Sequence, residues 1–540
     1  MAIRRDSLLV LVLAFGGGTL LEVSLPSPVQ AYVALMAGQR ARALKGQFNN
    51  VPVLHSNQPE IVTGPGILVD TAKGSAIASE TNRPLRNAEF TFDGEFGVHM
   101  HHKYYPDDKN KLGGRRQRGL LTLALIASNP SDRPVTLSFD RGSVKNSFEA
   151  PYHPNNLMGV KPLGKRPWNT GPGDATAVQM LRNELDRRLE PSITIPARGR
   201  TVVVSTVLPA RGIANGLLRG RSDGPFTMAV IAAEETNRDD ELIAVLDSRR
   251  LAPGRVYLNR VREIQQRKIF SRVAGVALGD TYQASIQHDL RQGSLHVPLT
   301  STVRHNFGTR DVQVNQLATR MIDSALDNVG TYGVRYDVSL NLSGSGQHQL
   351  VMSHPVVSGK KPFTAFRGSI RIESDQGAKE VHVGLKSGES LALADLLLEK
   401  GQINPVKVSV VYPADATPGH LLSVVPVQQL AMLHRRQEQQ RAAQKKLEEQ
   451  KAQMDVKLEQ LQTKMEATVQ AHTAMSCVSQ GQLELLQTRL DALHQAKLLN
   501  DDEIGALEDC VADYINCRSS LNPAATNIGV AAEKVKKMVG

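Results

Sequence analysis

The residues best suited to chemistry are imidazoles. His99, His101 and His102 stand in one short segment, with His153 downstream. On a strand, His99 and His101 share a face and His102 points the other way, so a metal site would need those two plus a distant third ligand. Surface histidines beside a basic loop are the plainer reading. Asp93 with Glu95, and Asp107 with Asp108, are acidic pairs that lack calcium-loop spacing. Gly220-Arg221-Ser222-Asp223-Gly224 fits the nucleophile-elbow pattern, yet that turn must open a helix, and here Pro225 and an apolar run over 226–233 follow. Gly159 to Lys165 has phosphate-loop spacing, but Arg166 stands where Ser or Thr is needed and Pro167 blocks the following helix. It reads as a Pro/Gly loop. These patterns assign no catalytic residue, no cofactor and no metal.

Binding chemistry is better represented. Lys103, Lys109, Lys111, Arg115, Arg116 and Arg118 crowd one segment around Gly113-Gly114, and their cations would attract phosphates or carboxylates through a salt-screened field. A solvated loop is the alternative. The whole chain carries a formal charge of +11, so an anionic surface or polymer is the expected partner. Only 4% of residues are aromatic, which leaves few faces for bases to stack on and argues against nucleic acid.

The elements that must position these groups are mostly strands. At 540 residues the chain exceeds one ordinary domain. From about Tyr32 to Pro426, short apolar runs alternate with Gly, Pro, Asn and Asp turns. Tyr332, Val334, Tyr336, Val338, Leu340 and Leu342 keep strict period two, the sign of a strand with one buried face. The runs 120–127 and 226–233 are apolar on both faces and suit the middle of a sandwich. Helix is expected over 175–189, from the spacing of Val178, Leu181 and Leu185, and over 316–327 as a weaker case.

The punctuation repeats. Phe92 to Phe139 runs through a strand, a polar turn and a second strand, and Tyr332 to Val357 does the same. A hairpin over 192–204, then Pro225 and a strand, has a counterpart in 380–393, then Pro405 and a strand over 406–411. This order predicts a duplicated pair of β-sandwich-like domains, 85–265 and 266–426, after an extended segment over 32–84. The alternative is punctuation shared by chance.

From Val427 the composition turns to Gln, Lys, Glu, Leu and Ala. A three-four seam runs from Leu430 to Met475, poor between Gln437 and Lys451 and sound from Met454 to Met465. It predicts a long helix over 427–476, as a coiled coil or a solvated single helix. Over 477–540 a helical hairpin turns at Asn500, where Asn500 and Glu503 have capping-box spacing. All three cysteines lie here. Cys510 and Cys517 are seven apart on one helix face, too far to bond each other, and an antiparallel return places Cys517 closer to Cys477 than Cys510. A Cys477–Cys517 disulfide with Cys510 unpaired is the expectation.

The N-terminus has an export pattern: Arg4 and Arg5, an apolar stretch from Leu8 to Leu21, and Val29-Gln30-Ala31 as a cleavage site. A signal peptide over 1–31 with cleavage after Ala31 is predicted. Glu22 and the Pro26/Pro28 pair end the apolar run short of a bilayer span. A periplasmic or extracellular protein without a transmembrane span is therefore expected.

Three blocks then resemble a known family. The segments Asn50-Val-Pro-Val-Leu-His-Ser-Asn-Gln-Pro-Glu-Ile-Val62, Arg272-Val-Ala-Gly-Val-Ala277 and Tyr412-Pro-Ala-Asp-Ala-Thr-Pro418 resemble hallmark segments of a cyanobacterial secreted family classed as a domain of unknown function, and 328–336 and Phe366-Arg367-Gly368 are similar too. The resemblance covers about Ala37 to Val424, leaves the helical tail outside, implies a β-rich envelope protein and supplies no catalytic residue. The functional expectation is a non-enzymatic envelope protein. Its β domains would sit on a tail that oligomerises or docks another envelope protein, with an anionic envelope polymer as the other partner. The alternative is a lectin or carbohydrate-active enzyme acting on anionic glycans.

Overall fold

The computed structural model describes residues 41–113, 118–153, 158–166, 170–269, 272–354, 362–414 and 416–473. The chain is mainly β, in several sheets, and ends its described part in a helix. Ten principal strands form a first half: β1 (Gly46–Phe48), β2 (Pro52–Ser56), β3 (Gly66–Asp70), β4 (Glu95–Tyr104), β5 (Leu120–Ser128), β6 (Val135–Asn146), β7 (Ser192–Ile195), β8 (Arg200–Pro209), β9 (Ile213–Ser222) and β10 (Thr227–Glu234). Ten more form a second: β11 (Ala274–Leu278), β12 (Thr281–Asp289), β13 (Leu295–Leu299), β14 (Arg335–Ser343), β15 (Gly346–Ser353), β16 (Thr364–Ser374), β17 (Gly377–Lys386), β18 (Ser390–Leu398), β19 (Ile403–Val411) and β20 (His420–Pro426).

The two halves have one topology. In the first, the order β7-β6-β9-β4-β2 makes the large sheet and β8-β5-β10-β3 the small one; in the second, β17-β16-β19-β14-β12 and β18-β15-β20-β13 repeat both orders. Even the exceptional pair is kept, since β2–β4 and β12–β14 are parallel and the other pairs along these orders are antiparallel. Each large sheet shares an apolar core with its small sheet. In β14, Tyr336, Val338, Leu340 and Leu342 are buried in that core while Arg335, Asp337, Ser339 and Asn341 face outward, as the period-two pattern requires. The runs that are apolar on both faces, β5 and β10, occupy the two middle positions of their sheet.

Several expectations change, among them the helix expected over 175–189, which spans Pro172–Leu181 instead. The segments 192–195 and 200–209 are not a hairpin: β7 pairs with β6 and β8 with β5, so the turn at Arg198 carries the chain from one sheet to the other. The counterpart of the strand over 226–232 is β20, whereas the strand after Pro405 corresponds to β9. The stretch 316–327 holds an edge strand, Leu317–Arg320, paired with β11, and no helix.

The halves also trade their first strands. β1 belongs to the first half in sequence but pairs with β12 in the second half's sheet, and β11 belongs to the second half but pairs with β2 in the first half's sheet. Gly46 faces Ala284, Phe48 faces Tyr282, Pro52 faces Leu278 and Ser56 faces Ala274, all in one register. Backbone bonds from Asn49 to Thr281 O (3.0 Å) and from Gly279 to Val51 O (2.8 Å) bridge the gap, so 46–56 and 274–284 form one unbroken antiparallel ribbon. The ribbon leaves one large sheet and enters the other at Gly279. That residue has φ +101°, and a Cβ there would lie 2.7 Å from the Phe48 Cβ and 2.9 Å from Asn49 O. A division at 265/266 is thus crossed by strands in both directions, and the short strand Gly159–Pro162, an insertion in the first half, extends the second half's sheet beside β17.

Helices complete the symmetry and then break it. Helix α1 (Pro172–Leu181) lies within an insertion between β6 and β7. Helix α2 (Asp239–Asp247) follows β10 and packs on β10 and β8 with Leu242 and Leu246 buried. Helix α3 (Val427–Thr473) follows β20 directly, and its Leu430 packs on Val351 and Val425 of the second half's small sheet. The helix α3 is therefore the counterpart of α2, prolonged to 47 residues, roughly 70 Å at 1.5 Å per residue. The chain divides into two compact units, up to Leu433 and from His434 onward.

Candidate functional site

The chemistry gathers where the two halves meet. Helix α1 is buried along all ten of its residues, packing on β6 and β9 of one large sheet and β16 and β19 of the other. Pro172 at its start brings a preset φ, and Gly173, Ala175 and Ala177 leave room for two sheets to approach one helix. Ala177, Met180 and Leu181 pack with Leu217 and Val411, one from each half. Its polar side chains bond in both directions. Asp174 accepts from Ser369 Oγ (3.0 Å) and pairs with His382 Nδ1 (3.0 Å). Thr176 Oγ1 accepts from Asn215 Nδ2 (2.5 Å), Asn215 Oδ1 meets His101 Nδ1 (2.9 Å), and Gln179 accepts from Ser143 Oγ. Buried polar groups of this kind are costly unless paired, so both sheets are held in register through α1.

Beside α1 lies the imidazole cluster. The parallel register of β2 and β4 sets His55 opposite His99, with Nδ1 to Nδ1 at 3.2 Å. His102 points to the other side of β4, where Ser56 Oγ (2.8 Å) and Pro59 O (2.8 Å) hold both of its ring nitrogens. Burial pushes His55 and His102 down to about 3 and holds His99 well below the usual range, so all three rings are neutral. His99 Nε2 is buried without a hydrogen-bond partner. His99 is also one of the residues around a small cavity of about 20 Å³, whose wall includes Arg141, Asp280, Gly333, Arg335 and Val411. Asp280 is engaged by Arg219, Asn49 Nδ2 (2.6 Å) and Thr281 Oγ1 (2.9 Å), and Arg335 by Asp337 (2.9 Å). On the open face of the second half's large sheet, a groove of about 660 Å³ is lined by Lys45, Gln47, Gln283, Asp337, Ser339 and Lys407.

Residues 39–426, spanning both halves, match a family described as a protein of unknown function, DUF3370. The chain belongs to that family. No curated protein matches this DUF3370 chain. Among solved structures it is similar to a Paenibacillus xanthan lyase at 10% identity and a TM-score of 0.14, with 68% of this chain and 27% of the lyase covered. It spans about a quarter of that protein's length.

In the DUF3370 region four of the six residues predicted for anion binding are among the described residues. Lys103 is half-buried at the end of β4 and pairs with Glu60 at 2.8 Å. Glu60 also pairs with Arg272; burial works to raise its carboxyl, and Arg272 and Lys103 hold it below the usual range. Lys109 and Lys111 are exposed in a single 3-10 turn capped by Asp108, with Lys111 3.9 Å from Glu234. Arg118 is half-buried beside Leu112. Arg115, Arg116, Cys477, Cys510 and Cys517 lie outside the described residues, as does the predicted signal peptide. Among the described residues no cluster of three His, Cys, Asp or Glu side chains is placed to hold a metal ion. His153 is exposed, Ser222 Oγ accepts from the Gly94 amide at 3.0 Å, and Gly159–Pro162 is strand where a loop was expected.

Sequence reasoning missed the pair at the other end of the ribbon. Arg255, in the linker between halves, and Asp323, after the Leu317–Arg320 edge strand, form an ion pair at 2.8 Å with neither side chain exposed. Gln58 Nε2 donates to Asp323 at 3.1 Å and Arg255 also reaches Leu68 O of β3. No local spacing links positions 58, 255 and 323.

Proposed function

We propose that this DUF3370 protein is a non-enzymatic, exported cell-envelope protein of structural or interaction type: two β-sandwich-like domains locked into one rigid body and presented on a helical arm. The observation that carries the reading is the reciprocal ribbon with the buried α1 beside it. His101, His102 and His382 bond Asn215, Ser56 and Asp174, holding strands and halves together. A body built this way resists shear between its halves, which suits a load-bearing or docking module. The arm suits presentation. Its described side chains over 434–446 are exposed, while Leu447 and Met454 are half-buried and Leu458 and Leu461 buried within the chain itself. Among the described residues no helix is long and apolar enough to cross a membrane.

A second reading rests on the open groove. Its lysines and amides suit a carboxylated glycan, which makes a lectin or carbohydrate-active enzyme the alternative. Envelope fractionation separates the two. The leading reading expects chains beginning at Tyr32 in the envelope fraction, bound to another envelope protein or an acidic polymer that is released unaltered. Cytoplasmic chains that keep Met1 contradict export, and shortened polymer products would establish the alternative.

A further inference from the structure

Strand register builds the groove on the open face of the second half's large sheet. Side chains alternate along each strand, so the residues of β12, β14 and β19 that miss the core share this face. One row across the strands runs Gln47, Gln283, Asp337 and Ser409, and the next runs Ser285, Ser339 and Lys407. Lys45, the residue before β1, closes the groove on the side opposite Lys407. Lys45, Gln47, Gln283, Ser285 and Lys407 are all exposed.

Charge in the groove is unbalanced. Asp337, the one carboxylate among its lining residues, accepts from Arg335 Nε (2.9 Å) and from Ser409 Oγ. Lys407 stands opposite Glu373 of β16, but Glu373 is taken by Arg371 at 2.7 Å. Asp311 feels the charge of Lys45 and accepts from Gln313 Nε2 (3.4 Å). Neither lysine forms an ion pair among the described residues. The floor between them is hydroxyl and amide, groups that both donate and accept as sugar hydroxyls do, whereas a phosphate chain offers acceptors alone. No aromatic ring lines the groove, so charge and hydrogen bonds must carry any attachment. Glycoside hydrolysis needs two carboxyl groups in separate roles, and the single carboxylate of this groove is committed within the sheet.

We propose that this groove holds an acidic polysaccharide laid across the strands, with its carboxylates on Lys45 and Lys407 and its hydroxyls on Ser285, Ser339 and Gln283, and holds it without cutting it. The two lysines are three strand spacings apart, roughly 14 Å between backbones. A polymer engages both, a single uronic acid engages one, and linkage makes two weak contacts into one stronger attachment. The site rests on the reading of an acidic polymer as partner.

Calorimetric titration of the purified full chain with polygalacturonate at pH 7 tests it, beside methyl-esterified polygalacturonate, galacturonic acid and polyphosphate. The expected result is saturable binding of polygalacturonate that weakens with added salt and is lost on esterification. Lys45→Gln with Lys407→Gln should weaken it about tenfold or more, and galacturonic acid should bind weaker than the polymer by a similar factor. Lys73→Gln with Lys400→Gln removes the same charge from exposed positions outside the groove and should bind like the unaltered chain, with both double variants keeping its thermal midpoint. Absence of saturable binding, equal weakening in the two pairs, tighter binding of polyphosphate, or shortened polygalacturonate after incubation would each overturn the proposal. Export is decided separately by fractionation: chains that keep Met1 in the cytoplasm and still bind polygalacturonate would refute the envelope reading and leave the groove's role intact.

Discussion

The two halves share a frame and fill it differently. In the first core Phe96 packs against Phe139 and Phe226 with ring centroids 5.8 and 5.0 Å apart, and none of these three rings carries a polar atom. In the second, Tyr336 packs against Tyr282 and Tyr412 at 5.4 and 6.4 Å, and each hydroxyl has its partner: Gln313 O for Tyr336, Leu44 O for Tyr282 and His420 Nε2 for Tyr412. Strand order, strand direction and the alternation of buried positions are common to both. The identity of the core is therefore free to drift, provided each hydroxyl it acquires is bonded, while main-chain pairing is not. The same contrast governs the helices, since α2 stops after nine residues and α3, in the equivalent place, becomes an arm.

Acid tests whether the two cores fail together. His55 and His102 in the first half are held near 3 and His296 in the second near 4, against an ordinary value near 6.5. The unfolded chain takes up these protons below pH 6.5 and the folded chain does not, so stability falls from pH 6.5 toward 4 and 3. Each contributes a loss of about 2 kcal/mol at pH 5 relative to pH 7. Asp70, raised by burial to about 6, works the other way between pH 6 and 3.8 and returns about 1 kcal/mol. Urea unfolding should record a net loss of about 4 kcal/mol or more, with His99, His305 and His420 adding to it in the same direction. Loss confined to one half would break the account.

Arg255→Ala removes one partner of the buried pair between the linker and the second half and should cost about 3 to 5 kcal/mol. Arg255→Met with Asp323→Leu should recover most of it, because no charge is then left alone. Failure of the double variant to recover would assign Arg255 a role beyond pairing.

Much of this frame was legible in sequence because its signals are local. Period two from Tyr332 to Leu342 marks β14, the double-faced runs mark β5 and β10, and the composition change at Val427 marks α3. The ribbon was not legible, because the pairing of Pro52 with Leu278 depends on a register between segments more than 200 residues apart. In sequence the strand over 406–411 resembles 226–232 for a related reason: neighbouring strands look alike, and only their partners tell β9 from β10. The candidate site was half legible. His99 and His101 did share a face of β4, but the approach of His55 and Arg141 depends on pairing between distant strands of the first half's sheet, and Arg335 comes from the other half.

Gly279→Ala places a methyl group against Phe48 and Asn49 O at the point where the ribbon changes sheets, and should cost about 1 to 3 kcal/mol. Gly377→Ala, also at positive φ but with open space around it, should cost less and so separates backbone strain from damage to the crossing. The smallest effect belongs to the arm. A chain ending at Leu433 keeps Leu430 on the second half's small sheet, so its melting should stay within about 0.5 kcal/mol of the full chain. Light scattering should find its assembly reduced; an unchanged number of copies would leave the arm as a spacer.

The central claim is that exchanged first strands make the halves one cooperative body. Native-state hydrogen exchange on the full chain addresses it most directly. Amides in the ribbon, such as Leu54 and Tyr282, and in the two cores, such as Leu125, Val230, Val338 and Val408, should open with one free energy and one denaturant dependence. Exchange of Val338 and Val408 through an opening that leaves Leu125 and Val230 protected would contradict it.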